Sequence, residues 1–286
     1  MNALRENLLS RRADILARYP RAFRTDWPAR RRMLALLGLA IGLYIVGVVT
    51  LDFDPARILR GFSQLGWIIS LMLPPSPDSW ERAEIYLQAL GQTLAIAFLG
   101  TSVAALLAVP FGFLAARNVV ANRALHFITR RTLDAVRSVD TLIWALIWIN
   151  VVGLGPFAGA LAIMSADIAA FAKLMSEAIE TADRRPVEGI EASGGNHLER
   201  VRFGVLPQVL PIFASQVLYF FESNTRSATI IGIVGAGGIG LYLSEEIRVL
   251  EWQRAAFLIL MVLVTVAIID QISQRLRAAI VGTQRT

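Results

Sequence analysis

The chain has no cysteine in its 286 residues. Disulfides, thiolate metal sites and cysteine nucleophiles are therefore excluded. Histidine is nearly as scarce: His126 and His197 are the only two, both in polar stretches. A histidine metal cluster, or a serine activated by a nearby histidine, is not expected. Lysine occurs once, as Lys173, and no glycine-rich run precedes it. A phosphate-cradling loop of the ATP-binding kind is thus missing too. Charge is thin, with 17% Asp, Glu, Lys and Arg. These absences leave little room for an enzyme.

What remains is apolar. Hydrophobic residues make up 55% of the chain and the mean hydropathy is +0.56, a composition of polytopic membrane proteins rather than soluble domains. Met33–Leu51 is uncharged and long enough to cross a core of ~30 Å. Phe62–Leu73 is too short to cross and is followed by Pro74-Pro75, which suits the outer interface. Ile85–Ala116 predicts the next span. Thr141–Ala166 is interrupted by Gly153-Leu-Gly-Pro156, which predicts a hairpin of two spans over 138–153 and 157–176. Phe203–Phe221 and Trp252–Ser273 complete six spans in an all-α membrane domain over 33–280. Residues 1–32 carry leucines at helical spacing among arginines and read either as an amphipathic helix on the inner leaflet or as a basic tail.

The net charge of +6 would suit a nucleic-acid partner, but its distribution points elsewhere. Segments 1–32, 116–137 and 173–204 and the C-terminal end hold 22 of the 28 Lys and Arg. The positive-inside rule then puts these segments and both termini in the cytoplasm, where the basic groups meet anionic lipid.

The chain is organised around Arg184–Pro207, a polar island between apolar runs. Pro186 suits a first helical turn, Val187 and Ile190 share a face, and Gly194-Gly195 stops the helix. Asn196 with Glu199 three residues on predicts a reciprocal cap for a second helix. A short helix, a glycine turn and a second helix at the membrane surface form a shape suited to docking in a partner's groove.

Four other features invite a function. Gly235-Ala-Gly237-Gly238-Ile-Gly240 satisfies GxGxxG, but a dinucleotide site needs a βαβ unit, for which no room exists between the flanking spans. A broken helix, packed closely or facing an anion, fits better. Ser223, Asn224, Thr225, Arg226 and Ser227 group donors suited to a phosphate-like oxyanion, although Glu222 and Arg226 are spaced to pair along one helix. Asp167 falls near the middle of a span. It is either a proton or cation relay or a hydrogen-bonding residue near Asn150 or Asn224. Gln92, Thr93 and Asn150 suit hydrogen bonds between helices.

Glu188, Gly194 six residues later, and Leu206-Pro207 closing the island resemble the EAA motif of ABC importer permeases. Gly189 and Ile190 replace its alanines, and Gly204 stands where isoleucine is usual. Trp144–Ala162, Phe203–Pro211 and Arg226–Gly240 sharpen the likeness to phosphonate ABC transporter permeases, with methionine permeases sharing the glycine-rich segment. Asp167 is not part of the family pattern. The resemblance implies a type I importer (MetI-like) permease fold in the bacterial inner membrane. It implies two copies of the chain, two ABC ATPase subunits that hold ATP and Mg, and a periplasmic or lipid-anchored binding protein. No cofactor or metal is implied in the chain itself. Glu188, Gly194, Leu206 and Pro207 become coupling residues, with Arg185, Val187 and Ile190 beside them. Asp167, Ser223, Asn224, Thr225, Arg226, Ser227, Gly235 and Gly237 become the substrate pathway. The substrates the resemblance implies are phosphonate or a related phosphorus oxyanion, phosphite or a phosphate ester, moved by alternating access. The alternatives are an ABC permease for another small solute such as methionine, an ATP-independent secondary transporter or channel using Asp167, and an intramembrane enzyme or structural anchor.

Overall fold

The computed structural model describes residues 27–51, 53–119 and 122–282. Of the amphipathic helix or basic tail expected over 1–32, residues 1–26 lie outside them. Among the described residues there are helices and turns and no strand, so no βαβ unit surrounds the glycine motif. The helices are α1 (Trp27–Thr50), α2 (Pro55–Leu71), α3 (Trp80–Ala115), α4 (Arg123–Arg137), α5 (Thr141–Val152), α6 (Pro156–Thr181), α7 (Arg184–Ala192), the single turn α8 (His197–Glu199), α9 (Leu206–Ile231), α10 (Ile239–Arg248) and α11 (Trp252–Gly282). Wider π-type turns precede and follow α9, at Arg200–Val205 and Gly232–Ala236. By contacts the chain divides into residues 1–67 and 68–286. In the first, α1 begins at Trp27, six residues before the expected span, and Asp54 caps α2 by accepting from the Ala56 N–H at 2.9 Å.

The second unit is built on α3 and α6. Alanines line their contact: Ala97, Ala104, Ala108, Ala162, Ala169 and Ala172 are fully buried. At Gly100 the backbones come so close that a Cβ would lie 2.8 Å from the Ile163 side chain. Lipid tails offer no hydrophobic drive to join two apolar helices, so small residues that permit close van der Waals packing carry the contact. Phe171 extends it to α9, its ring tilted against Phe220 at 4.5 Å between centroids and edge-on to Phe213 at 5.7 Å.

Among the described residues five helices are long and apolar enough to cross a membrane, and a sixth crossing requires the bent pair of α4 and α5, at 87° to one another. This corrects the span expected at 138–153. Asp140 caps α5 by accepting from the Leu142 N–H at 2.8 Å, so the helix starts at Thr141 and has 12 residues. At ~1.5 Å per residue that is ~18 Å, too short to cross alone. The basic segment before it is itself a helix, α4, capped by Asn122. A second correction concerns Phe203–Phe221. The helix runs on to Ile231, and the polar residues 222–227 lie inside it: Glu222 and Asn224 find partners on neighbouring helices, while Thr225, Arg226 and Ser227 bond within their own.

Candidate functional site

At the α7 corner, Asp183 caps the helix by accepting from the Arg185 N–H at 3.1 Å. Gly194, at φ +86°, reverses the chain. Its N–H reaches the Glu191 carbonyl at 3.0 Å while the Gly195 N–H reaches Ile190 at 2.9 Å, the paired bonds of a Schellman stop. The reciprocal cap forms as expected. Asn196 accepts from the Glu199 N–H at 3.0 Å, and Glu199 accepts from the Asn196 N–H at 2.7 Å. Arg200 pairs with Glu191 at 3.1 Å, closing the second arm onto the first.

This corner has an inner and an outer side. Val187 and Ile190 are half-buried, and Val187 packs towards Val205, Val209 and Ile179. Arg185, Glu188 and Gly189 are exposed. Of the seven expected coupling residues, Val187 and Ile190 therefore hold α7 onto its own chain, and Arg185 and Glu188 face away from it. Leu206 is half-buried and Pro207 exposed at the start of α9. Beside Glu188 a hollow of about 520 Å³ is rimmed by Glu191, His197 and Arg200.

The polar turn of α9 divides similarly. Asn224 and Thr225 are buried, Ser223 and Ser227 half-buried, and Arg226 exposed. Asn224 donates to Asp167 on α6 and, at 2.8 Å, to Thr101 on α3, tying three helices together. Asp167 is 7% exposed and lines a cavity of about 280 Å³ shared with Arg137 and Asp140. Asn150, the other partner considered for Asp167, donates to the Leu146 carbonyl of its own helix. Thr225 and Ser227 donate back to carbonyls four residues earlier. Glu222 takes Arg226 at 3.3 Å, the pair its spacing predicts, and also Arg277 of α11 at 3.0 Å. Two guanidiniums on one carboxylate leave the cluster at +1, with the Arg226 side chain 49% exposed.

The glycine break meets the α5–α6 turn. The Gly155 N–H donates to the Gly235 carbonyl at 3.0 Å. A Cβ on Gly237 would lie 2.8 Å from the Pro156 nitrogen. Gly235 and Gly237 hold φ of +102° and +82°. Thr93 secures the far side by accepting from the Ile239 N–H at 2.8 Å.

Sequence reasoning missed Arg277. Its side chain turns to Glu222 and stacks 5.7 Å over Tyr219. No local pattern links residues 55 apart. Thr101 went unassigned for the same reason, 123 residues from Asn224.

A family model described as the binding-protein-dependent transport system inner membrane component matches residues 108–281. A phosphite transport system permease protein of Stutzerimonas stutzeri is 32% identical over 264 residues, covering 87% of this chain and 95% of its own. A phosphate-import permease protein of Mycolicibacterium smegmatis is 34% identical over 256 residues; these are 89% of this chain and 48% of that longer protein. Among solved structures, a chain of an inward-facing methionine ABC transporter superposes with a TM-score of 0.62 at 19% identity, over 71% of this chain and 99% of its own. At that identity the likeness is one of fold.

Proposed function

The chain belongs to the binding-protein-dependent transport system inner membrane components, and from there we propose that it is the permease subunit of an ATP-driven importer for a phosphorus oxyanion: phosphonate, phosphite or a phosphate ester. The observation that carries the substrate class is the Glu222–Arg226–Arg277 cluster, with its net +1 and its exposed Arg226. A guanidinium on a membrane-spanning helix is costly against lipid, so on this reading it faces a water-filled pathway. There its planar fork of donors suits a phosphoryl oxygen pair. Two copies of the chain form that pathway between them. Ser223 and Ser227 flank Arg226 along it, and the Gly235–Gly237 break closes its outer side. Asn224, Thr225 and Asp167 stand behind as the packing that fixes the α9 turn.

The exposed side of α7 receives the stroke. Two ATPase subunits bind ATP and Mg and close on each other, and their clefts carry the two α7 helices together through Glu188 and Arg185. The outer mouth then opens to take the anion from an external binding protein, and hydrolysis resets the pore inward. This mechanism puts Arg184–Pro207 and both termini in the cytoplasm, the side the Lys and Arg distribution favours.

Uptake into proteoliposomes holding the reconstituted complex, with labelled phosphonate, phosphite and methionine side by side, tests the reading. Phosphonate or phosphite accumulates with ATP, and Arg226→Gln lowers that uptake about tenfold while the ATPase still co-purifies. Glu188→Lys abolishes co-purification while the chain still inserts. Preferential methionine uptake overturns the substrate class. Uptake without any ATPase subunit overturns the importer and favours a secondary transporter.

A further inference from the structure

The π-type turn Arg200–Val205 lies between the α7 corner and α9, and one side chain bridges it. Gln208, in the first turn of α9, makes three hydrogen bonds. Its carbonyl oxygen accepts from the Asp183 N–H at 2.9 Å, and its amide nitrogen donates to the Asp183 carbonyl at 3.1 Å. The same nitrogen donates to the Gly204 carbonyl at 2.6 Å. A carboxamide matched to both backbone groups of one residue fixes position and orientation together, because each bond constrains the other. The residue so held is the cap of α7 and the end of the α6–α7 turn. Gly204 completes the clasp. A Cβ there would sit 3.0 Å from the Val187 side chain and 3.1 Å from its Cα, so the bare backbone lets α7 lie directly on the chain entering α9.

We propose that Gln208 is a positioning residue that makes α7 and the start of α9 one rigid body. A displacement of α7 then passes straight to the helix carrying Asn224 and Arg226. Without the clasp, α7 would be joined to α9 by the turn at Gly194, a one-turn helix and a π-type segment, elements with separate freedom to bend, and by the apolar packing of Val187 on Val205 and Val209, which fixes no orientation. Pro207 withholds an N–H from this turn and Leu206 reaches five residues back to Val201, so the backbone ladder here is weaker than in a regular helix. The side-chain clasp supplies the stiffness that the ladder does not. It also accounts for Gly204 in place of the isoleucine usual in the EAA pattern.

This inference rests on the ATPase-coupled reading above, and its test separates the two. The natural absence of cysteine allows spin labels at cysteines replacing Ala192 on α7 and Ile212 on α9 with no background. In the complete complex with its ATPase, the distance within one copy should agree to about 2 Å between nucleotide-free and ATP-trapped states. The distance between the two copies' Ala192 labels should change. Gln208→Met keeps the volume and removes all three bonds. It should broaden the α7–α9 distance and lower solute transported per ATP hydrolysed about tenfold, with the ATPase still bound. Gln208→Glu, which retains the bond from the Asp183 N–H but turns a carboxylate towards two carbonyls, should not restore coupling. An α7–α9 distance that shifts with nucleotide in the unmodified chain overturns the clasp, as does Gln208→Met with full coupling. Should Gln208→Met fail to assemble, the distances in the unmodified chain decide alone. A chain that binds no ATPase at all overturns the importer reading first, and the clasp with it.

Discussion

Two of the junctions between helices of the second unit are held by opposite means. The first, residues 183–208, is largely exposed and polar. Its turns are fixed by a side-chain cap at Asp183, a reciprocal cap at Asn196 and Glu199, and the three bonds of Gln208. The other joins Gly153–Pro156 to Gly235–Gly238 and is held by contact between backbones, with one bond from Gly155 to Gly235 and the Thr93 brace. The difference follows from surroundings. Where water reaches, a hydrogen bond of ordinary net worth (about 1 kcal/mol) is replaceable, so several are needed to fix one geometry. Where glycines are buried, as at Gly237 and Gly238, small residues let backbones touch and dispersion does the work. The polar junction should therefore fail gradually, one bond at a time, and the glycine junction all at once.

The sharpest way to break that contrast is Gly237→Val. The added Cβ would lie 2.8 Å from the Pro156 nitrogen, and the residue's φ of +82° is one that a β-branched side chain does not adopt. Strain and overpacking together cost about 3 kcal/mol or more. Little folded protein should survive gel filtration in detergent, and what survives should melt well below the unmodified chain. A variant that folds normally would mean that this junction is looser than its geometry implies.

Much of the polar junction was legible in advance because those devices are local: the Asn196–Glu199 cap spans three residues and the Gly194 stop sits where a helix must reverse. Its Gln208–Asp183 bonds, 25 residues apart, were not. In α9 the Glu222–Arg226 pair follows helical spacing. The membrane class was legible for a different reason, since long uncharged runs have few other uses. What stayed hidden depends on distant residues. Thr93 meets the Ile239 N–H across 146 positions, and Arg277 meets Glu222 across 55. Residues 222–227 looked like the end of a span because polarity was counted without the partners that satisfy it. The shortness of α5 had a local signal, Asp140 as a cap, which the apolar run beginning at Thr141 obscured.

Asn196→Ala tests the gradual side of the contrast. It removes the acceptor for the Glu199 N–H and leaves the Schellman bonds at Gly194 and Gly195 in place. The expected loss is about 1 kcal/mol. It should appear as faster hydrogen exchange confined to residues 196–200, with α9 and the glycine junction unaffected. Exchange that spreads into Gly235–Gly238 would show the two junctions to be one cooperative unit, and the distinction between them would fall.

Lys173→Met should have the smallest effect and serves as the boundary of the contrast. Lys173 donates to Asp134 at 2.7 Å, joining α6 to α4, yet both side chains keep access to solvent and Asp134 has a second partner in Arg131 at 3.3 Å. Exposed pairs of this kind contribute little, because the attraction is screened and two long side chains must be held still. The hydrogen bond from Lys173 keeps the Asp134 carboxyl, on the amphipathic helix α4, below its ordinary range. The sign follows from that direction. The contribution is fully present above the ordinary carboxylate value of about 4 and is lost as pH falls through the depressed one. Melting curves of Lys173→Met and the unmodified chain should differ slightly near neutral pH and converge in strongly acid buffer. A difference as large as that of Asn196→Ala, or one that persists in acid, would mean that contacts between α4 and α6 bear more of the unit's stability than the caps at 183–208 do.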